Sequence, residues 1–197
     1  MFVLTIDQRG SRHGTDLVPQ LLARLAPLPV LRGFERTVGD EVQGVLDDAD
    51  LVVETALQVL RDGGWSVGIG AGPVDEPLPV SPREGAGAAF VLAREAVEAA
   101  KSRTRPVSLA VRGADPVAAA DADAVLVLLG VLADRRTDAG WQAVDAVRGT
   151  TDGGQEVVAR ALGVSQQAVS QRLRSALWAE EAAVRPAAAR LLTRAAG

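Results

Sequence analysis

The segment from residue 155 to residue 173, QEVVARALGVSQQAVSQRL, constrains the fold more than any other part of the chain. Gly163 stands where a helix can end in a left-handed residue, a conformation that glycine adopts without a Cβ penalty. Ser165 is of a type that caps the start of the next helix, and the small side chain of Ala159 lets two helices approach closely. The segment therefore predicts two helices joined by a tight turn. Apolar residues at helical spacing would pack them together: Val158, Leu162, Val164, Val169 and Leu173.

The second of these helices is expected to expose side chains that can contact DNA. Glutamine, serine and arginine hydrogen-bond base edges and phosphates in a major groove. No acidic residue occurs from Val157 through Ala179, so no carboxylate there would repel phosphate. The predicted DNA-binding residues are Ser165, Gln166, Gln167, Ser170, Gln171, Arg172 and Arg174.

The segment resembles the helix-turn-helix of bacterial regulators of the MarR-like and sigma-region-four-like groups, over about 20 residues. The resemblance implies double-stranded DNA as a partner. Because one such motif contacts few bases, a homodimer is expected. The alternative is a helical hairpin inside an ordinary bundle, which would not need the glycine, the serine cap and the polar face together.

Charge is distributed unevenly along this chain of 197 residues, whose net charge is −4. Residues 1–113 carry 12 basic and 15 acidic side chains, and residues 114–150 carry 3 and 6. Residues 151–197 carry 6 basic and 4 acidic side chains, so the only positive segment is the one that holds the predicted turn. This distribution favours DNA contact in that segment.

The composition excludes several kinds of chemistry. The chain has no cysteine and one histidine, which excludes disulfides and thiolate sites and argues against a histidine-based metal site. The first seven residues have no basic region typical of a signal peptide, and no uninterrupted apolar run of about 18 residues occurs. We therefore expect a cytoplasmic protein without a transmembrane helix.

The pattern of elements predicts two domains and an α+β fold. Strands are expected at 2–6, 31–38, 41–46, 65–71 and 107–111, with helices between them in the order βαββαβ followed by one more αβ. This order is typical of a ferredoxin-like or palm sheet, antiparallel with helices on one face. A boundary near Gly113 would separate this domain, 1–113, from an all-helical domain, 114–197. In the second domain helices are expected at 117–135, 138–148, 155–162, 165–180 and 184–195.

Three carboxylates of the first domain form a candidate metal site. Asp7 ends the first strand, and Asp40 and Glu41 lie at the hairpin between the second and third strands. Strand ends in such a sheet can bring them together, and Mg²⁺ prefers hard oxygen ligands. Backbone amides at Gly10 and Ser11 could bind the phosphates of an accompanying nucleotide. The alternative is that the acids are ordinary turn and capping residues.

Four stretches of the first domain together resemble the SatD family: IDQRGSR (6–12), VGDEVQG (38–44), VGIGAG (67–72) and GAAFVLAREAVEAAK (87–101). They are also similar to the palm of class III nucleotidyl cyclases and diguanylate cyclases. The resemblance implies metal binding at Asp7 and Asp40 and contacts to phosphate or base from Arg94 and Lys101. Class III cyclases place an asparagine on the last helix, and residues 90–93 here contain none. The resemblance therefore implies nucleotide binding with little or no turnover.

These observations favour a DNA-binding transcriptional regulator with a sensor domain that binds a nucleotide. Two alternatives remain open at this point. One is a metal-dependent enzyme similar to nucleotidyl cyclases, which turnover of a nucleotide would identify. The other is a protein-interaction module, which a lack of duplex binding would favour.

Overall fold

The computed structural model describes residues 1–10, 14–150 and 154–197. In these ranges five strands form one mixed sheet accompanied by eight α-helices, so the expected mixture of sheet and helix is confirmed. The strands are β1 (Phe2–Gln8), β2 (Arg32–Arg36), β3 (Glu41–Leu46), β4 (Trp65–Ala71) and β5 (Leu109–Gly113). The helices are α1 (Val18–Leu25), α2 (Ala49–Asp62), α3 (Ala88–Ala100), α4 (Pro116–Asp134), α5 (Asp138–Arg148), α6 (Gly154–Leu162), α7 (Gln166–Ser175) and α8 (Trp178–Ala195), with a short 3-10 helix at Pro82–Glu84.

The sheet has the strand order β2-β3-β1-β4-β5. β1 pairs antiparallel with both β3 and β4, and β2 pairs antiparallel with β3. β5 differs, because it runs parallel to β4 and is reached through α3. A parallel neighbour needs such a crossover connection, so the last αβ unit extends the expected antiparallel sheet by one parallel strand.

Helices cover both faces of the sheet, so the expectation of helices on one face is wrong. Alternate residues of a strand point to opposite faces, and both faces are apolar here: Leu4 packs in the main core while Val3 packs with α3. The glycines of β4 make room for α3 on the second face. An added Cβ at Gly68 or Gly70 would overlap backbone atoms of α3, so the helix lies directly on the strand.

The main hydrophobic core includes residues from the C-terminal part of the chain. Leu126 and Leu129 of α4 and Leu192 of α8 are buried in the same cluster as the first face of the sheet. α8 also reaches the end of β5, where the Asp115 N–H donates to the Ala195 carbonyl oxygen (3.1 Å). The domain boundary between residues 113 and 114 stays a prediction, and α4 and α8, which follow it, share a core with the sheet.

α4 is long and apolar enough to cross a membrane by length and composition, with a mean hydropathy of 1.9. The sequence expectation considered only uninterrupted apolar runs, and Asp121 and Asp123 interrupt this helix. Of its apolar window 39% is buried inside the protein, and Asp123 accepts hydrogen bonds from Arg105 and from the Val111 N–H. These contacts are those of a core helix packed beside a sheet.

The last two helices begin and end at other residues than the sequence predicts. One helix was expected at 165–180, but α7 ends at Ser175 and α8 already begins at Trp178. Leu177 between them is left-handed, with φ of 50°. The Arg136 side chain donates to the Ala176 carbonyl oxygen (2.9 and 3.3 Å) and pairs with the buried Glu181. Because Arg136 lies 40 residues away, no local pattern indicates this break.

Candidate functional site

Helices α5, α6 and α7 form a small cluster that we call the three-helix unit. The buried residues of the apolar cluster between these helices are Val158, Ala159 and Val169, and Leu162, Val164 and Leu173 pack against them with Ala146 and Val147 of α5. The apolar residues predicted to join the two helices are therefore all in contact with this cluster. Sequence reasoning did not predict that α5 completes it.

The turn between α6 and α7 has the predicted geometry. Gly163 is left-handed, with φ of 64°. The Val164 N–H donates to the Ala159 carbonyl oxygen (3.0 Å) and the Gly163 N–H to that of Arg160 (3.3 Å), the pair of bonds of a Schellman motif. The Ser165 hydroxyl oxygen then accepts from the Ala168 N–H (3.1 Å) and caps α7. Both end signals of the predicted turn are confirmed.

α7 presents a polar face to solvent. Of the predicted DNA-binding residues, Ser165, Gln166, Gln167, Gln171 and Arg174 are exposed, and Ser170 and Arg172 are half-buried. In the described part of the chain neither Arg172 nor Arg174 has an ion-pair partner, whereas Arg160 of α6 pairs with Glu156. The two guanidiniums of α7 are thus free to bind an external anion.

Polar contacts attach the three-helix unit to the rest of the protein. Arg61 of α2 donates two hydrogen bonds to Asp145 of α5 (2.6 Å each) and lies 3.8 Å above the Trp141 ring. Glu54 of α2 pairs with Arg148 of α5 and Arg185 of α8. Burial of Glu54 acts to raise its pKa, but the two guanidiniums outweigh it and lower the pKa below the usual value. Glu54 is therefore ionised in the neutral range.

A cleft of about 950 Å³ lies at the end of the sheet where β1 finishes and β4 begins. Its walls come from the ends of α2, α3 and α4 and from the segment before β5. Its lining includes the apolar residues Leu60, Trp65 and Val107 together with charged residues of both signs. A volume of this size holds a small-molecule ligand.

Asp7 and Lys101 meet in this cleft. The Lys101 Nζ lies 3.1 Å from the Asp7 Oδ2 and 2.7 Å from the Glu98 Oε1. Burial raises the pKa of Asp7 above its ordinary value, and the charges of Asp40 and Glu41 add to the rise, while Lys101 opposes it. Burial acts to lower the pKa of Lys101, but its bonds to Glu98 and Asp7 raise it overall. The ammonium group therefore stays charged.

The three predicted metal ligands lie at the same end of the sheet, but two of them already have partners. Asp7 and Glu41 face each other across β1 and β3, and the Glu41 Oε1 accepts from the Thr37 hydroxyl (2.6 Å). Asp7 is bound by Lys101. Within residues 1–10, 14–150 and 154–197, no group of three or more acidic or histidine side chains is arranged to hold a metal ion. These residues do not fit a Mg²⁺ site as they stand, and metal binding stays a prediction.

Two polar atoms in the walls of the cleft are buried without a hydrogen-bond partner among the described residues. They are the Ser66 Oγ and the Arg105 Nε. Ser66 is the strand partner of Asp7 in β4, so the two side chains share one face of the sheet. A buried polar group without a partner costs free energy, and both atoms are shielded from the open space of the cleft.

The structure brings together only part of the predicted nucleotide site. Gly10 and Lys101 line the cleft, but Arg94 is exposed on α3 and does not. Ser11 lies outside the described residues. Sequence reasoning missed further cleft residues that carry no common motif: Arg9, Arg61, Ser66, Arg103 and Arg105. The cluster of basic residues at 101–105 after α3 was a local signal for two of them, Arg103 and Arg105.

Comparison of the chain with protein-family models, characterised proteins and solved structures gave no match.

Proposed function

We propose that the protein is a DNA-binding transcriptional regulator that contacts duplex DNA through α7. The observation that carries this proposal is the α6–α7 turn. Its left-handed Gly163 and its Ser165 cap join two short helices by a tight turn, as in the helix-turn-helix proteins whose second helix enters a major groove. The exposed side chains of that helix are of the types that read base edges.

The electrostatics of α7 support the same proposal. Arg172 and Arg174 lie on a helix without acidic residues, and within the described residues neither is neutralised by a carboxylate. The whole chain carries a net charge of −4, whereas α7 carries two arginines and no acidic residue. Several arginines elsewhere are paired with a carboxylate, as Arg61 is with Asp145 and Arg105 with Asp123.

The sheet part serves as the sensor in this proposal. Strands β2-β3-β1-β4 are antiparallel and joined in the order expected of a ferredoxin-like or palm fold, and the cleft at their end has room for a nucleotide. Arg61 supports a link between the two parts, because it lines the cleft and also binds Asp145 of the three-helix unit. A ligand that draws Arg61 toward the cleft would weaken this attachment. The regulator would act in the cytoplasm.

The experiment that tests DNA binding compares two double variants at several salt concentrations. Arg172→Ala with Arg174→Ala removes the two free arginines of α7. Arg190→Ala with Arg194→Ala removes two exposed arginines of α8 and serves as the control of equal charge. The α7 variant should bind duplex DNA more weakly, with a salt slope reduced by about 1 for each lost phosphate contact, and the control should bind as the unchanged protein does. Equal effects of both variants, or no duplex binding at low salt, would refute the proposal.

A homodimer is part of the proposal, because one short reading helix contacts few bases and two half-sites add affinity. Sedimentation velocity of the full chain, alone and with a palindromic duplex, should show a dimer in at least the bound state. A monomer bound to one half-site under all conditions contradicts this part.

A further inference from the structure

The cleft is lined by charged residues of both signs. Its walls carry five cationic side chains and three carboxylates. The cationic residues are Arg9, Arg61, Lys101, Arg103 and Arg105, and the carboxylates are Asp7, Asp40 and Asp134. Three of the cations are paired, Arg61 with Asp145, Lys101 with Asp7 and Glu98, and Arg105 with Asp123.

Two of these cations are free of carboxylates within the described part of the chain. Arg9 uses its Nη1 to donate to the Ser108 hydroxyl (3.0 Å), which leaves its charge uncompensated. Arg103 is exposed beside Lys101 and Ser102 and has no ion-pair partner in the same ranges. Guanidinium groups bind phosphate oxygens through two parallel hydrogen bonds, so these two arginines can hold a phosphate without losing an existing ion pair.

Lys101 lies where a metal ion would have to bind. Its ammonium contacts the Asp7 Oδ2 (3.1 Å) and compensates the carboxylate that a cation would need as a ligand. A lysine in this position supplies a compact positive charge next to the cleft.

We propose that the cleft binds a phosphate-bearing anion directly, without a metal ion, through Arg9, Arg103 and Lys101. This inference rests on the sensor part of the proposed function and names the chemistry of its ligand. The apolar lining residues Leu60, Trp65 and Val107 suit a flat apolar group attached to the phosphate, as in a nucleotide.

The test measures the binding of pyrophosphate to the full chain by calorimetry, once with EDTA and once with Mg²⁺. Direct binding predicts that pyrophosphate binds in EDTA. The double variant Arg9→Gln with Arg103→Gln should bind about tenfold more weakly or worse, because it loses both charge-assisted donors to the phosphate. The matched control is Arg83→Gln with Arg190→Gln, two exposed arginines that do not line the cleft. It should bind as tightly as the unchanged protein. Both variants replace exposed side chains, and their melting temperatures show whether they fold.

Three other results would overturn the inference, and they can be told apart from a failure of the proposed function. Binding that needs Mg²⁺ would show a metal-dependent site and leave the proposed sensor intact. Binding that is equal in both double variants would place the ligand outside the cleft. No binding with or without Mg²⁺ would remove the anion site, while duplex binding, measured separately, would still decide the regulator.

Discussion

The sheet with its covering helices and the three-helix unit are stabilised by different interactions. The main core of the sheet contains large buried side chains such as Leu4, Ile6 and Leu126, and its residues come from several strands and several helices. The apolar cluster between the three helices has three buried members, Val158, Ala159 and Val169, and hydrogen-bonded ion pairs attach the unit to α2. A small apolar cluster contributes less to stability than a large one. The comparison indicates that the three-helix unit depends on its polar contacts to keep its position.

The largest effect is expected from Arg136→Met. Arg136 is fully buried, donates to the Ala176 carbonyl oxygen and pairs with Glu181. Its removal leaves a buried carboxylate short of one partner and frees the α7–α8 junction, which should lower the free energy of unfolding by about 3–5 kcal/mol. Chemical denaturation measures this loss. Arg135→Met changes an exposed neighbour and should leave the free energy of unfolding nearly unchanged. Equal losses in both variants would show that the buried ion pair does not account for the effect.

The next effect concerns the sheet. In Gly68→Ala the added methyl group would overlap the backbone of α3 at Val97 and Ala93, which can move only if the helix shifts. Overpacking of this kind should cost about 1–3 kcal/mol. In Gly33→Ala the methyl group meets no atom within 4 Å, so a similar loss of stability in both variants would argue against close packing of α3 on β4.

A smaller, local effect is expected in the turn of the three-helix unit. Gly163→Ala places a Cβ at a left-handed residue and should cost about 1–2 kcal/mol. Hydrogen exchange should show the loss as faster exchange in α6 and α7, with the sheet unchanged. Gly149→Ala at the end of α5, where φ is −80°, is the control and should have little effect. Faster exchange throughout the protein would show that the two parts unfold as one.

The smallest effect depends on pH. The folded pKa of Glu54 is lower than its ordinary value of 4.5 because of Arg148 and Arg185. A lowered carboxyl pKa stabilises the fold fully above the ordinary value, and the contribution disappears as pH falls through the folded pKa. Glu54→Gln should therefore be less stable than the unchanged protein near pH 7, by about 1 kcal/mol or less since the pair is partly exposed. The difference should vanish in acid; a difference that is constant with pH would exclude this electrostatic origin.

The sequence predicted those features whose causes lie within a few residues of one another. The α6–α7 turn depends on Gly163 and Ser165 and on bonds that span three to five residues, so its pattern is visible locally. The order of strands and helices is confirmed for the same reason. Single residues of the cleft were also predictable, since Asp7 ends a strand and Lys101 ends a helix.

The contact between those residues could not be predicted from the sequence. Asp7 and Lys101 are 94 positions apart, and their contact depends on how α3 lies across the sheet. Arg136 is a second case, because it binds the Ala176 carbonyl oxygen after α7 from 40 residues away. A third is the apolar cluster under α3, since helices were expected on only one face of the sheet. Arg94 was predicted to contact a phosphate or base, but it is exposed on α3 and does not line the cleft.

The return of α8 to the sheet has a consequence for synthesis on the ribosome. Leu192 and Ala195 cover the same core as Leu4 and Ile6, yet they are made after all five strands of the sheet. At a usual rate of about 5–20 residues per second, the interval between Gly113 and Ala195 lasts roughly 4–16 s. During this time the nascent sheet is complete in its strands but still lacks its last cover, and its apolar face is open to other chains. The order of translation thus makes the emergence of α8, rather than of β5, the step that closes the protein against aggregation.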